Sequence, residues 1–223
     1  MKIAALLQIG RGVTAIIGGG GKTTLMEVLA EELSQKGSVI LTTTTHICRP
    51  AQYETLTDAD EALVSAALSH SRIVCVASQA ESGKLCAPWL SMGTLAQLAD
   101  FVLVEADGAK RLPLKAHAAH EPVIPPCAQR VVTVVGIDGI GKPIGAACHR
   151  SARYAQLALA DEEALVTPEI AARVLNAEGG FDRVYINKVE SDAAYEAAQA
   201  MAKELSCPVI AGSLHQGVYV CLH

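Results

Sequence analysis

The sequence predicts an α/β fold in three layers, a mostly parallel sheet covered by helices on both faces. Three observations carry that expectation. Short β-branched runs alternate with stretches of helical apolar spacing along the whole chain. The first run, Val13–Ile17, opens directly into four glycines and a helix starting at Lys22. No repeat or long linker divides the 223 residues, so they read as one domain, 1–223, with irregular insertions around 79–93 and 107–127.

Taken in order, Lys22–Lys36 carries an apolar stripe of Leu25, Val28, Leu29 and Leu33, and Gly37 stops it. Val39–Leu41 follows as a buried-type strand, completing a βαβ unit whose crossover favours parallel strands. Asp58–Leu68 is expected as a helix capped by Asp58, and Arg72–Ala77 as a strand. Gln79–Met92, with Gly83 and Pro88, reads as a loop excursion before a short helix at Thr94–Ala99 and a strand at Phe101–Val104. Asp107–Pro126 contains four prolines and two histidines, which predicts an irregular, lid-like segment. A strand at Arg130–Val135 precedes helices at Ser151–Leu159 and Pro168–Asn176, the second capped by Thr167 and started by Pro168. Arg183–Ile186, Ser191–Leu205 and Pro208–Ala211 close the chain as strand, helix and final strand.

Composition narrows the function classes. An apolar content of 51 % argues against general disorder. Aromatics at 4 % leave little stacking surface, and a formal charge of −5 without a basic block argues against nucleic acid as a partner. The apolar run within Met1–Gly10 is too short to span a membrane, so the chain reads as cytoplasmic with no membrane partner. Seven scattered cysteines read as free thiols, since a disulfide framework belongs to small secreted chains.

The glycine run carries the sharpest chemical signal. Glycines let successive backbone N–H groups approach phosphate oxygens, and the following helix start adds unpaired donors and its positive dipole end. Gly18, Gly19, Gly20, Gly21, Lys22, Thr23 and Thr24 are therefore the expected nucleotide-binding set, on a P-loop NTPase-like fold. Lys22 is expected to reach the β- and γ-phosphates and Thr23 to place its hydroxyl on Mg²⁺. Thr24 supports the phosphates or the helix start. The usual pattern wants glycine six residues before the lysine; Ile16 stands there, so Gly18 and Gly19 are expected to form the turn instead.

Glu105 and Asp107 emerge at the end of the Phe101–Val104 strand, where ligands sit in parallel sheets. Glu105 is assigned to the metal and Asp107 to orienting water or a switch segment. Thr42–Thr45 also follows a strand, and Thr44 joins Lys22 and Asp107 as a catalytic candidate. Asn187-Lys188-Val189-Glu190 partly matches a guanine-recognition turn, with Glu190 in the place of the usual aspartate. Asn187, Lys188 and Glu190 favour GTP over ATP while leaving ATP open. His117, His120 and Glu121 are read as a substrate-contacting group and not a zinc site, because Pro122 breaks any helix that would align them. Lys110, Arg111 and Lys115 add positive charge for an anionic substrate or partner.

In this order the motifs resemble those of the YqeC-like family of accessory proteins for selenium-dependent molybdenum hydroxylases. The resemblance rests on Gly18–Leu25, Leu41–Thr45, Val104-Glu105-Ala106-Asp107-Gly108-Ala109, His120–Pro125 and Ile186–Val189. It implies a cytoplasmic protein that helps mature or insert the selenium-containing centre, with a molybdenum hydroxylase or a cofactor-maturation protein as partner. The loop is also similar to that of dimer-forming NTPases of metallocentre assembly, which implies a homodimer. Three activities remain open: slow Mg²⁺-dependent hydrolysis of GTP or ATP, phosphoryl or nucleotidyl transfer to a small molecule or cofactor precursor, and a non-enzymatic nucleotide-dependent switch.

Overall fold

The computed structural model describes residues 2–80 and 83–223. Its first third contains α1 (Ile3–Leu6), β1 (Gly12–Gly18), α2 (Lys22–Ser34), β2 (Val39–Thr43), β3 (His46–Ile47), β4 (Glu54–Thr57) and α3 (Glu61–His70). Then come β5 (Ile73–Gln79), β6 (Leu85–Cys86), α4 (Met92–Leu98), β7 (Phe101–Glu105), β8 (Leu114–Lys115), β9 (Ala128–Gly136), α5 (Ile144–Ala147) and β10 (Cys148–His149). The last third holds α6 (Ser151–Ala158), α7 (Pro168–Glu178), β11 (Arg183–Asn187), α8 (Asp192–Lys203), β12 (Val209–Ser213) and β13 (Val218–Cys221).

The main sheet runs β13-β12-β11-β9-β1-β7-β2-β5-β6-β3, with β4 also paired to β5. From β12 to β5 every pairing is parallel; β13, β6 and β3 add antiparallel edges. Alternation along the strands supplies two buried faces. Ile16, Leu41, Leu103, Val134 and Tyr185 pack with α1 and α2. On the other face, Val13, Ile40, Val102 and Val104 meet α3 and α4. Val135, Val184, Ile186 and Val209 meet α6, α7 and α8. The α2 stripe is almost wholly sealed: Leu25 and Leu29 are 0 % and Leu33 1 % exposed. Each such side chain contributes about 1.5–3 kcal/mol through burial.

Helix starts follow side-chain chemistry. Ser91, Thr167 and Ser191 accept hydrogen bonds from Thr94, Ile170 and Ala194 amides. The expected cap of α3 is corrected from Asp58 to Asp60, whose carboxylate accepts from Leu63 N at 2.8 Å. Asp58 instead turns the chain off β4 with φ 55° and accepts from Trp89 Nε1. The loop excursion after Gln79 is interrupted by β6, which pairs with β5 and β3; its positions 81–82 lie outside the described residues. Pro208–Ala211 is not the final strand either, because Gly217, at φ 67°, turns the chain back into β13.

The segment after β7 departs most from expectation. It is irregular, but its middle is anchored: Pro113, Leu114, Lys115 and Ala116 are buried, and β8 pairs with β10 in a small second sheet. Leu114 and Ala116 join the apolar core, and the buried Lys115 ammonium is paired with Asp107 and Glu121. Among the described residues, no helix is long and apolar enough to cross a membrane.

Candidate functional site

Strand order opens a crevice at the carboxyl ends of β1 and β7. The two are adjacent, with Ile16 opposite Glu105. The chain leaves β1 through α2 towards β2, beyond β7, whereas it leaves β7 towards β9 on the far side of β1. Loops that diverge from neighbouring strands leave a ligand-sized gap between them. The gap is a cavity of about 1240 Å³, and Gly20, Gly21, Lys22, Thr23, Thr24 and Glu105 line one side of it.

The glycine run divides into two parts. Gly18 N donates to Asp107 Oδ2 at 2.8 Å, Gly19 N to the Val134 carbonyl at 2.9 Å, and Gly20 N to the Leu112 carbonyl at 3.0 Å. These three amides are used by the protein, so donors for an anion come from Gly21 onward, at the start of α2. Gly20 has a further reason to be glycine. Its φ is +80°, and a Cβ there would lie 2.3 Å from Gly136 N. Gly20→Ala is therefore expected to cost about 1–3 kcal/mol, read as a lower melting temperature. An unchanged melt would mean that the loop is not held against Gly136.

Lys22 lies at the centre, 6 % exposed. Its ammonium donates to the Gly18 carbonyl at 2.8 Å and lies 3.1 Å from Asp107 Oδ1 and 3.7 Å from Glu105 Oε1. Asp107 Oδ1 is buried without a hydrogen-bond donor, so the Lys22 contact to it is a misaligned charge contact. Thr23 Oγ1 donates to Glu105 Oε2 at 3.1 Å. Burial pushes the Glu105 carboxyl above its usual range, and Lys22 and Thr23 only partly offset that. Burial also acts on Asp107, but the His117 hydrogen bond and the Lys22 and Lys115 charges outweigh it and hold that carboxyl low.

Asp107 is also the hub of a buried ion network. Its Oδ2 lies 2.7 Å from His117 Nε2 and 3.3 Å from Lys115 Nζ. His117 Nδ1 lies 2.9 Å from Glu178 Oε2 at the end of α7. With a carboxylate on each ring nitrogen, both must donate, so His117 is an imidazolium. Burial disfavours that charge, but Asp107 and Glu178 overcome it and raise the pKa. Lys115 also lies 3.0 Å from Glu121 Oε2, and Arg150 Nε lies 3.1 Å from the same oxygen. Burial would raise the Glu121 pKa; Arg150 and Lys115 instead lower it to about 2.

His120 is exposed and outside this network. Among the described residues, no group of three His, Cys, Asp or Glu side chains is placed to hold a metal. Glu178 escaped sequence reasoning because it lies 61 positions from His117 on a separate helix, with no motif around it.

The threonine run serves mainly as a brace. Thr43 Oγ1 donates to the Glu105 carbonyl at 2.8 Å. Thr44, the catalytic candidate of the run, donates to the Val123 carbonyl at 2.7 Å, and Thr45 lines the crevice. At the far end, Asn187, Lys188 and Glu190 line the same cavity. Asn187 is 5 % exposed, donates to the Gly20 carbonyl at 2.9 Å and accepts from Leu214 N at 3.2 Å. Its amide thus holds the glycine loop in shape. Lys188 lies 2.9 Å from Asp138 Oδ2, and Glu190 accepts from Ser213 Oγ at 2.7 Å.

Two comparisons bear on this arrangement. The family model described as YqeC protein matches residues 14–152, from within β1 into α6. That span contains Lys22, Glu105, Asp107, Lys115, His117, Glu121 and Arg150. A protein of Escherichia coli (strain K12), named as the uncharacterized protein YqeC, is 33 % identical over 182 residues, 77 % of this chain and 71 % of that protein. The resemblance seen in the ordered motifs is thereby established, and the chain belongs to the YqeC family.

Proposed function

We propose that this protein binds a nucleoside triphosphate with Mg²⁺ in the crevice between β1 and β7 and hydrolyses it slowly, on a P-loop NTPase-like fold. The observation that carries this reading is Lys22, a nearly buried ammonium at the start of α2 whose neighbours are one carbonyl and two carboxylates. An ammonium so positioned can exchange those oxygens for phosphate oxygens without leaving its cleft.

Thr23 and Glu105 form a hydroxyl–carboxylate pair open to the same cavity. Hard oxygen donors of this kind suit Mg²⁺, which keeps several waters and needs few protein ligands. The raised pKa of Glu105 supports the fit, since it marks a buried carboxylate short of positive charge. Bound there, Mg²⁺ would neutralise phosphate charge. Asp107, 0 % exposed, would act through its neighbours, holding the Lys22 ammonium and the Gly18 amide in place. Lys22 and the α2 amides would stabilise charge on the phosphates, so catalysis rests on positioning and electrostatics.

Asn187, Lys188 and Glu190 form the base end, with GTP favoured over ATP. Family membership supports the wider role: maturation of a selenium-dependent molybdenum hydroxylase, with that enzyme or a cofactor-maturation protein as partner. A homodimer is part of the same proposal.

Phosphate release from GTP and ATP, with and without Mg²⁺, tests the reading. Glu105→Gln is expected to raise the Mg²⁺ requirement about 10- to 100-fold. The wild-type Mg²⁺ dependence in that variant would remove Glu105 from the metal.

A further inference from the structure

A second cavity, about 850 Å³, lies behind the phosphate crevice, between residues 117–122, the first turn of α6 and the end of α7. The two cavities meet at Glu121, which lines both. Its size falls in the range that takes small molecules. Its walls combine apolar surface from Ala118, Pro122 and Leu157 with the charged groups His117, Glu121, Arg150, Arg153 and Glu178.

The hydrogen-bond inventory of those groups is lopsided. Glu178 already accepts from the His117 amide at 2.6 Å and from its ring at 2.9 Å. Glu121 Oε2 already faces both Lys115 and Arg150. The two carboxylates are thus engaged by cations of the protein itself. Both ring nitrogens of His117 are engaged as well, so it contributes charge without a free donor.

The guanidinium groups are different. A guanidinium carries five N–H donors. Arg150 uses Nε on Glu121, and Arg153 uses Nη1 on Gln156 Oε1. Donors are in surplus, while both carboxylates already face cations of the protein. Arg150 also holds a left-handed backbone, φ 60° and ψ 53°, which non-glycine residues seldom adopt and which recurs at ligand sites.

We propose that this cavity is a second binding site, for a small molecule that carries an oxyanion group, a carboxylate or a phosphate. Arg150 and Arg153 grip the oxyanion, and the apolar wall receives the body of the molecule. The site is separate from the phosphate loop and stands whether or not the crevice takes a nucleotide.

Amide NMR of the ¹⁵N-labelled full chain, titrated with inorganic phosphate and separately with citrate, tests this. Saturable shifts are expected at 117–121, 150–153 and 177–179 with at least one probe, and the better probe identifies the group. Arg153→Ala, at an exposed position, is expected to weaken that binding about tenfold, and Arg150→Lys to do the same by losing the fork while keeping the charge. Shifts confined to 20–24 would overturn the second site while leaving the phosphate loop standing. Shifts at the second cavity alone would support the second site and leave the triphosphate reading to its own titration. Unchanged affinity in both arginine variants, or no saturable shift outside 20–24, would overturn the proposal.

Discussion

Replacing Lys22 with alanine is expected to abolish nucleotide hydrolysis and to weaken triphosphate binding at least about a hundredfold, the loss of a buried, charge-assisted contact to phosphate. The substitution should leave a folded chain. Asp107 keeps Lys115, His117 and the Gly18 amide, and Glu105, its carboxyl already raised by burial, can take up a proton. Circular dichroism of the variant checks the fold, and phosphate release checks the chemistry. Hydrolysis at the wild-type rate in a folded variant would remove Lys22 from the site.

Asp107→Asn is expected to have the largest effect on stability. The Lys115 side chain is 0 % exposed and the Lys22 side chain 5 %, and Asp107 is the carboxylate they share. Removing one partner of a buried ion pair costs about 3–5 kcal/mol, because the remaining charge stays desolvated. For a chain of this size that is about 10 °C in melting temperature.

The pH dependence should change with it. Asp107 has a depressed pKa, so its contribution is present above the usual carboxylate range and lost as pH falls through its lower folded value. His117 has a raised pKa, so its contribution is full below about pH 6.5. It is lost as pH rises through the higher folded value. Wild-type stability should therefore fall on both the acid and the alkaline side, and Asp107→Asn should flatten both limbs. Identical melting-temperature profiles in wild type and variant would mean that the ion network contributes nothing to folding.

Much of this arrangement is legible in the sequence, and the reasons are local. Val13–Ile17 followed by four glycines and Lys22 sets strand, turn and helix within a dozen residues, and β1 and α2 form there. Phe101–Val104 is apolar enough to be a central strand, so Glu105 and Asp107 had to emerge at its carboxyl end. Short elements were not legible. β3, β6, β8 and β10 have two residues each and owe their pairing to distant partners, where neither propensity nor period gives a signal.

The segment after Asp107 misled for a related reason. Prolines and charges mark exposed loops, yet Lys115 is buried where Asp107 and Glu121, from either side of it in the same segment, converge on its ammonium. Long-range pairing hid Glu178 and gives Asn187 a contact to the Gly20 carbonyl that no local pattern announces. Geometry set within one contiguous stretch could be read. Contacts made between separate elements could not.

The most direct test is calorimetric titration of the nucleotide-free chain with GTP and with ATP, each with and without Mg²⁺. Saturable binding that requires Mg²⁺ for full affinity and disappears in Lys22→Ala is the expected result, with GTP the tighter of the two. Absence of binding by either triphosphate, or equal binding by the wild type and a folded Lys22→Ala variant, would contradict a phosphate site at the start of α2.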